Sequence, residues 1–358
     1  MARRDVEAAG HAVSAPPRVV VAPDKFRSTM DASGVAEILG RAARVRGYAV
    51  REVPLADGGE GTLAVLGGPN TEHRAHGPDG RILSAGWRPE GDLAVIEMAR
   101  ASGLTLAGGP EHNDAVAATS EGTGELIAAA IAAGARRIVV GIGGSASTDG
   151  GAGALRHLEH FAPLAGVPGR FEVVVACDVT TRFLEAADAF APQKGARPDE
   201  VVELRTRLER LAEEFAARRG IDVRPLDGGG AGGGLAGGLA ALGARLVSGF
   251  ALVADLVGLA ESVAGATLVV TGEGRVDATS HVGKVVGGVL ATARSLEVPA
   301  GVIAGSVEPG VLADVLFVDL VATFGEARAF EDTGVCLTEA MHALLDRFES
   351  RREPVSSR

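Results

Sequence analysis

The chain has 358 residues, 46% of them hydrophobic, and its 35 basic and 46 acidic residues give a net charge of −11. At about 150 residues per domain, this length predicts two globular domains, and the acidic balance argues against a nucleic-acid or anionic-membrane partner. The two cysteines are isolated in the sequence, which argues against a disulfide framework or a zinc site and fits a reducing cytoplasm.

Residues 1–17 lack the apolar core of a signal peptide, and we expect them to form a disordered leader. From residue 18 onward, short apolar β-rich runs alternate with helical patterns. Buried strands are predicted at 18–22, 136–143, 172–176, 267–271, 301–305 and 315–324. Helices are predicted at about 32–46, 122–133, 199–219, 235–246, 283–296 and 337–349. The alternation predicts an α/β fold whose site lies at the carboxyl ends of parallel strands.

Residues with useful chemistry directly follow four of the predicted strands. In chain order they are Asp24, Lys25 and Arg27, then Ser145 and Asp149 among glycines, then Asp178, and finally Glu273, Asp277 and Lys284. Carboxylates suit a divalent cation, basic side chains suit phosphate, and glycines let backbone N–H groups approach an anion. The residues that follow these four strands predict a ligand site, although Asp149 and Asp178 could each be an ordinary helix cap.

Lysine is scarce in this chain, since 32 arginines accompany only Lys25, Lys194 and Lys284. We interpret this bias as arginine having replaced lysine at positions where any surface charge is enough. A pocket shaped for a compact ammonium, in contrast, rejects the planar guanidinium. The three lysines are therefore candidates for phosphate contacts. The alternative for Lys194 is an exposed lysine that caps a loop.

The segment DGGGAGGGLAGGLAALGARL, residues 227–246, combines glycines with a leucine pattern. Leu235, Leu239, Leu242 and Leu246 recur at spacings of four, three and four, which predicts a glycine loop that leads into an apolar-faced helix. Such a loop offers backbone donors to an anion. The alternative is that the small residues allow close packing.

Nine blocks, in the same order, are similar to the successive motifs of the bacterial glycerate kinase family, named for glycerate and glyoxylate catabolism. They are APDKFRSTMDA (22–32), PLADGGEGT (54–62), VIEMARASGL (95–104), ATSEGTGELI (118–127), GIGGSASTDGGAGAL (141–155), CDVT (177–180), FAPQKGA (190–196), GAGGGLAGGLAALGA (230–244) and TGEGRVDATSHVGK (271–284). The resemblance implies phosphorylation of D-glycerate at the 2-hydroxyl, dependent on ATP and Mg²⁺. It also implies a flavodoxin-like parallel-sheet domain built from residues 18–70 and 262–358 and an inserted α/β domain at 71–261. It is compatible with a homodimer.

Phosphoryl transfer requires a base for the attacking hydroxyl, ligands for Mg²⁺ and cations for the spreading negative charge. The candidates for the base or for metal binding are Asp178, Asp149, Asp57 and Glu60, and Mg²⁺ is assigned to Asp57, Glu60 and Asp178. The predicted catalytic set is Asp178, Lys194, Asp149 and Lys284. The predicted substrate and nucleotide contacts are Asp24, Lys25, Arg27, Gly58, Gly59, Gly143, Gly144, Ser145, Gly230, Gly232, Gly233, Glu273 and Asp277. The sequence leaves open which loop binds ATP, which binds glycerate, and whether 2- or 3-phosphoglycerate is the product.

The chain departs from the family pattern at three places. Arg27-Ser28 replaces Lys-Gly, TTRFLEAAD (180–188) replaces a segment containing Asn-Pro-Leu and Gly-Pro, and the connection 153–171 is short. Two alternatives follow: a catalytically altered relative that binds a phosphometabolite, and a kinase for another small hydroxy acid. A nucleotide-cofactor oxidoreductase is disfavoured because no G-x-G-x-x-G motif follows the first strand.

Overall fold

A computed structural model describes residues 16–26, 29–281 and 284–352 of the chain. In these ranges the strands are β1 Arg18–Val21, β2 Ala49–Glu52, β3 Thr71–His76, β4 Ile82–Glu90, β5 Leu93–Glu97, β6 Arg137–Gly141, β7 Glu172–Ala176, β8 Arg245–Val247, β9 Leu268–Thr271, β10 Arg275–Val276, β11 Ala300–Ala304, β12 Ser306–Val307 and β13 Leu316–Asp319. The helices are α1 Ala32–Val45, α2 Thr62–Val65, α3 Ala99–Ser102, α4 Glu121–Ala132, α5 Ala152–Leu158, α6 Ala186–Phe190, α7 Pro198–Arg219, α8 Leu235–Ala241, α9 Gly249–Leu256, α10 Leu259–Val263, α11 Val285–Ser295, α12 Leu320–Phe324, α13 Glu326–Glu331 and α14 Thr333–Arg352. None of the helices in the described ranges combines the length and the hydropathy needed to span a bilayer.

The first large sheet joins the two halves of the chain. It has five parallel strands in the order β13-β11-β9-β1-β2, with Val19 of β1 paired to Leu268 of β9. Numbered along the chain, the five strands have the order 2-1-3-4-5, which is the flavodoxin-like arrangement. The sequence predicts that strands 18–22 and 267–271, about 250 residues apart, lie in the same sheet, and this is confirmed.

Helices cover both faces of this sheet because successive strand residues point to opposite faces. Val19 and Val21 pack in one apolar cluster with residues of α1 and α14. Val20 packs in another cluster with Phe250 and Val253 of α9 and residues of α10 and α11. Since α9 covers the five-stranded sheet, we propose that the inserted domain ends near residue 248, before the position 261 expected from the sequence.

The second large sheet has six strands in the order β3-β4-β5-β6-β7-β8. β5 to β8 are parallel, and β4 runs antiparallel to both of its neighbours. Its core includes Leu126 of α4, Leu155 of α5, Leu204 and Leu208 of α7, and Leu235 of α8. The chain is therefore an α/β protein, as the sequence predicts, with one fully parallel large sheet and one mixed large sheet.

Two predicted elements differ at their carboxyl ends. The helix predicted at 235–246 stops at Ala241, and 245–247 form β8, because Gly243 has φ +91° and turns the chain out of the helix. The strand predicted at 315–324 stops at Asp319, whose side chain accepts a hydrogen bond from Ala322 N and caps α12. Strands β2 to β5 and β8 were not predicted. Most of them are half-exposed, so they lack a continuous apolar run.

The glycine-rich segment leads into α8, as predicted, and its glycines are packed closely against neighbouring elements. A Cβ on Gly237 would overlap the ring of Phe183, and one on Gly233 would overlap Ser147 O. The N–H groups at the start of α8 are used internally, since Ala236 N donates to Ala231 O and Gly237 N to Gly229 O. Close packing thus accounts for much of the glycine content. The segment 180–188, which departs from the family pattern, takes part in this packing because it supplies the fully buried Phe183.

Candidate active site

A cleft of about 580 Å³ lies at the carboxyl edge of the five-stranded sheet, next to the ends of β1 and β9. In a flavodoxin-like sheet, the strand order reverses between these two strands, and ligands bind in the crevice outside that point. We call this cavity the main cleft. Its charged lining residues are Asp24, Lys25, Asp57, Glu273, Arg275, Asp277, Lys284 and Glu326, and its apolar lining residues include Leu320, Val321, Ala329 and Phe330.

Carboxylates in the main cleft repel one another. Burial raises the pKa of Asp24 to about 7, with the charges of Asp57 and Glu273 adding to the rise and Lys25 opposing it. Burial also raises the pKa of Glu273, and its Oε1 is buried without a hydrogen-bond partner among the described residues. The Lys25 ammonium lies 4.0 Å from a carboxylate oxygen of both Asp24 and Asp57. This concentration of acidic groups favours a bound cation.

A second cavity, of about 340 Å³, lies at the carboxyl edge of the six-stranded sheet. We call it the glycine pocket. It is lined by Leu104, Ile142, Gly143, Gly144, Ser145, Val179, Phe190, Gln193, Lys194, Ala231 and Gly232. Its one charged lining residue in the described part of the chain is Lys194, and carboxylates are absent from that lining.

Lys194 is buried, with 2% of its surface exposed, so the alternative of an exposed loop lysine is wrong. Its Nζ donates to Ser147 O at 2.6 Å and lies 3.5 Å from Thr148 Oγ1. Burial lowers the pKa of Lys194 to about 7, and the charge of Asp149 opposes this shift. The side chain is held by carbonyl and hydroxyl oxygens and carries a readily lost proton.

The segment 57–61 (DGGEG), which we call the bridging loop, contacts residues of both cavities. Lys25 Nζ donates to Glu60 O at 2.7 Å, which ties the loop to the main cleft. A Cβ on Gly143 would lie 2.8 Å from Gly59 Cα, and one on Gly144 would lie 4.0 Å from the Glu60 carboxylate. The Glu60 carboxylate therefore lies near Gly144, beside the glycine pocket but not in its lining, while its backbone carbonyl accepts a hydrogen bond from Lys25 of the main cleft. Of the remaining loop residues, Gly58 packs against Gly249.

Two of the predicted catalytic carboxylates, Asp149 and Asp178, accept hydrogen bonds from backbone N–H groups. Asp149 is buried and accepts hydrogen bonds from Ser120 N, Ser120 Oγ, Gly151 N and Gly153 N. Asp178 accepts from Ser248 Oγ, Gly249 N and Phe250 N, so it caps the start of α9. Burial is the main cause that raises the pKa of Asp178, and the charge of Asp57 contributes a smaller rise. Both carboxylates match the helix-cap alternative.

The other predicted site residues fall into three groups. Asp24, Lys25, Asp57, Glu273, Asp277 and Lys284 line the main cleft, and Gly143, Gly144, Ser145, Lys194 and Gly232 line the glycine pocket. Gly230 N already donates to Thr181 O, and Gly233 packs against Ser147. Arg27 lies outside the described residues.

Sequence reasoning missed Glu97 and the apolar part of the main cleft. Glu97 ends β5, is 2% exposed and accepts a hydrogen bond at 2.7 Å from Gly61 N of the bridging loop. Burial raises the pKa of Glu97, and its Oε2 has no partner in the described part of the chain. The sequence could have indicated Glu97, because it is an acidic residue in the apolar run VIEM. Nothing in the local sequence indicated that Val321 and Phe330 line the cleft, because the cleft is formed by elements that are distant in the sequence.

Comparisons with known proteins identify the family of the chain. The model of the glycerate kinase family matches residues 19–162 and 160–351. The chain is 43% identical over 303 residues to an uncharacterized protein of Mycobacterium bovis (81% of this chain, 79% of that protein). It is 38% identical over 330 residues to the glycerate 2-kinase of Escherichia coli K12 (82% and 86%).

A solved structure of a candidate glycerate kinase 2 from Salmonella typhimurium LT2 is also similar. It superposes with a TM-score of 0.76 at 31% identity and covers 94% of this chain and 100% of its own. The family match extends over most of the chain, and the relatives named above align over more than three quarters of their own lengths. The chain therefore belongs to the glycerate kinase family.

Proposed function

We propose that the chain transfers the γ-phosphoryl group of ATP to the 2-hydroxyl of D-glycerate. The observation that carries the proposal is a pair of cavities of different chemistry whose lining residues both contact the bridging loop. A kinase that acts on a hydroxy acid must hold two anionic substrates side by side, and the catalytic power of a kinase comes mainly from positioning and electrostatics. Similarity to the glycerate 2-kinase of Escherichia coli K12 supports the choice of acceptor and of hydroxyl.

The main cleft suits Mg²⁺. Asp24, Asp57 and Glu273 offer carboxylate oxygens, which are the ligands that Mg²⁺ prefers. The buried Oε1 of Glu273 has no hydrogen-bond partner among the described residues, so it is available as a ligand for the ion. These three residues would hold the ion, in place of the set Asp57, Glu60 and Asp178 inferred from the sequence. Bound there, Mg²⁺ would neutralise charge on the phosphate oxygens.

The cations of the cleft have a separate role. Lys25, placed between the bridging loop and two carboxylates, would contact the phosphate oxygens of the nucleotide. Lys284 lines the same cleft and would do likewise. Both positive charges would offset the negative charge that spreads over the transferred group.

Glu60 is the carboxylate that we propose accepts the hydroxyl proton. Its side chain lies near Gly144, beside the glycine pocket, whereas Asp149 and Asp178 already accept three or more hydrogen bonds each. A base must come within hydrogen-bond reach of the proton that it removes. Of the four candidates, Glu60 lies near the boundary of the two cavities, where we place the acceptor hydroxyl in this proposal.

The test is an assay of ADP release with Mg-ATP and D-glycerate, with L-glycerate, L-lactate and a sugar as competing acceptors. We expect D-glycerate to be the best acceptor and turnover to require Mg²⁺. The product is identified by ³¹P NMR, because phosphate on the secondary carbon couples to one proton and phosphate on the primary carbon couples to two. Faster turnover of lactate or a sugar would refute the substrate, and a triplet would refute the 2-hydroxyl.

A further inference from the structure

We infer that ATP binds in the main cleft with its base against α12 and α13, and that the hydroxy acid binds in the glycine pocket. This inference rests on the proposed function because it divides that reaction's two substrates between two cavities. The first argument is size. The main cleft has about 580 Å³ and the glycine pocket about 340 Å³, whereas the nucleotide is several times larger than a three-carbon acid.

The second argument is the chemistry of the main cleft. Its strand-end loops supply acidic and basic side chains, as a metal-bound triphosphate requires, and α12 and α13 supply an apolar surface. Phe330 is 55% exposed on that surface, although large apolar side chains are normally buried. A backbone hydrogen bond from Val321 N to Gly305 O holds α12 against the end of β11. An exposed aromatic ring on a fixed apolar surface suits a purine base.

The third argument is charge. A hydroxy acid enters as a free carboxylate without a metal ion of its own, so the acidic main cleft repels it. The glycine pocket contains Lys194 and Ser145, and its described lining contains no carboxylate. Gly143 and Gly144 contribute only backbone atoms to the wall of this pocket. The pocket therefore suits a compact anion that carries hydroxyl groups.

The fourth argument is the position of the bridging loop. It contacts Lys25 of the main cleft through Glu60 O and contacts Gly143 of the glycine pocket through Gly59. The phosphate end of a nucleotide beside Lys25 would point toward this loop. The acceptor hydroxyl would meet it from the other side, next to the Glu60 carboxylate.

The experiment has two parts. Photolabelling of the full chain with 8-azido-ATP and peptide mapping should place the label within residues 320–330. Calorimetric titration with Mg-ADP should show about a tenfold weaker Kd in Phe330→Ala, since one stacked ring is worth roughly 1.4 kcal/mol. The control Val202→Ala removes a side chain that is 57% exposed on α7, outside both cavities, and should leave the Kd unchanged.

Ser145→Ala tests the other half of the inference. We expect it to raise the KM for D-glycerate several-fold while the Kd for Mg-ADP stays unchanged. Label within 143–145 or 190–194, an unchanged ADP affinity in Phe330→Ala, or weaker ADP binding in Ser145→Ala overturns the inference. Nucleotide binding at 320–330 without turnover of D-glycerate supports the nucleotide half of the inference and refutes the proposed function. Failure to bind any nucleotide refutes both.

Discussion

Replacing Lys194 by methionine is expected to change how stability depends on pH. Lys194 is 2% exposed, and burial lowers its pKa to about 7, whereas a lysine in the unfolded chain titrates near 10.4. Methionine has a similar length and no charge, so the variant removes this one titration. Every other titrating group is common to the two proteins and cancels in their difference.

The sign follows from the protons bound in each state. Below pH 7 both states of the wild type carry the proton, and the full cost of the buried charge is present. Between pH 7 and about 10.4 the unfolded state binds one proton more than the folded state, so wild-type stability rises with pH. The slope is about 1.4 kcal/mol per pH unit. From pH 7.5 to 9.5 the wild type should gain about 2–3 kcal/mol relative to Lys194→Met.

The assay is denaturant unfolding at pH 7.5, 8.5 and 9.5, followed by fluorescence of the single tryptophan. Trp87 is buried in β4 of the six-stranded sheet, so its signal reports on the domain that holds Lys194. Gln193→Met serves as a control, because it alters the neighbouring residue without removing a charge. A stability difference between wild type and Lys194→Met that is constant across these pH values would refute the depressed pKa of Lys194.

Three further predictions concern the reaction, the packing and the domain organisation. Glu60→Gln should lower kcat about 100-fold with little change in the Kd for Mg-ADP, in the range for loss of a general base; an unchanged kcat would remove Glu60 from this role. Gly237→Ala should destabilise the protein by about 1–3 kcal/mol because the added methyl overlaps the Phe183 ring, and an unchanged Tm would contradict the close packing. A fragment of residues 1–90 should not fold alone, since β1 lacks its partner β9; a cooperative unfolding transition of that fragment would contradict this account.

The sequence alone determined the fold class and many of the elements. Runs such as RVVVA and TLVVT predict buried parallel strands because their residues are apolar on both faces, and both are central strands of the five-stranded sheet. The order of nine motifs identified the family. Strand ends marked residues that come together, since Asp24, Lys25 and Glu273, which follow two different strands, line one cleft. These features are local, and local patterns are what a sequence displays.

Only the tertiary structure decided which residues share a cavity and which are structural. Asp149 and Asp57 both follow a predicted or observed strand among glycines, yet one accepts four hydrogen bonds in the interior and the other lines the main cleft. The burial of Lys194, the approach of Glu97 to the bridging loop and the apolar surface around Phe330 likewise have no local signature. Each depends on elements tens to hundreds of residues apart, because burial and hydrogen-bond partners are set by packing between elements.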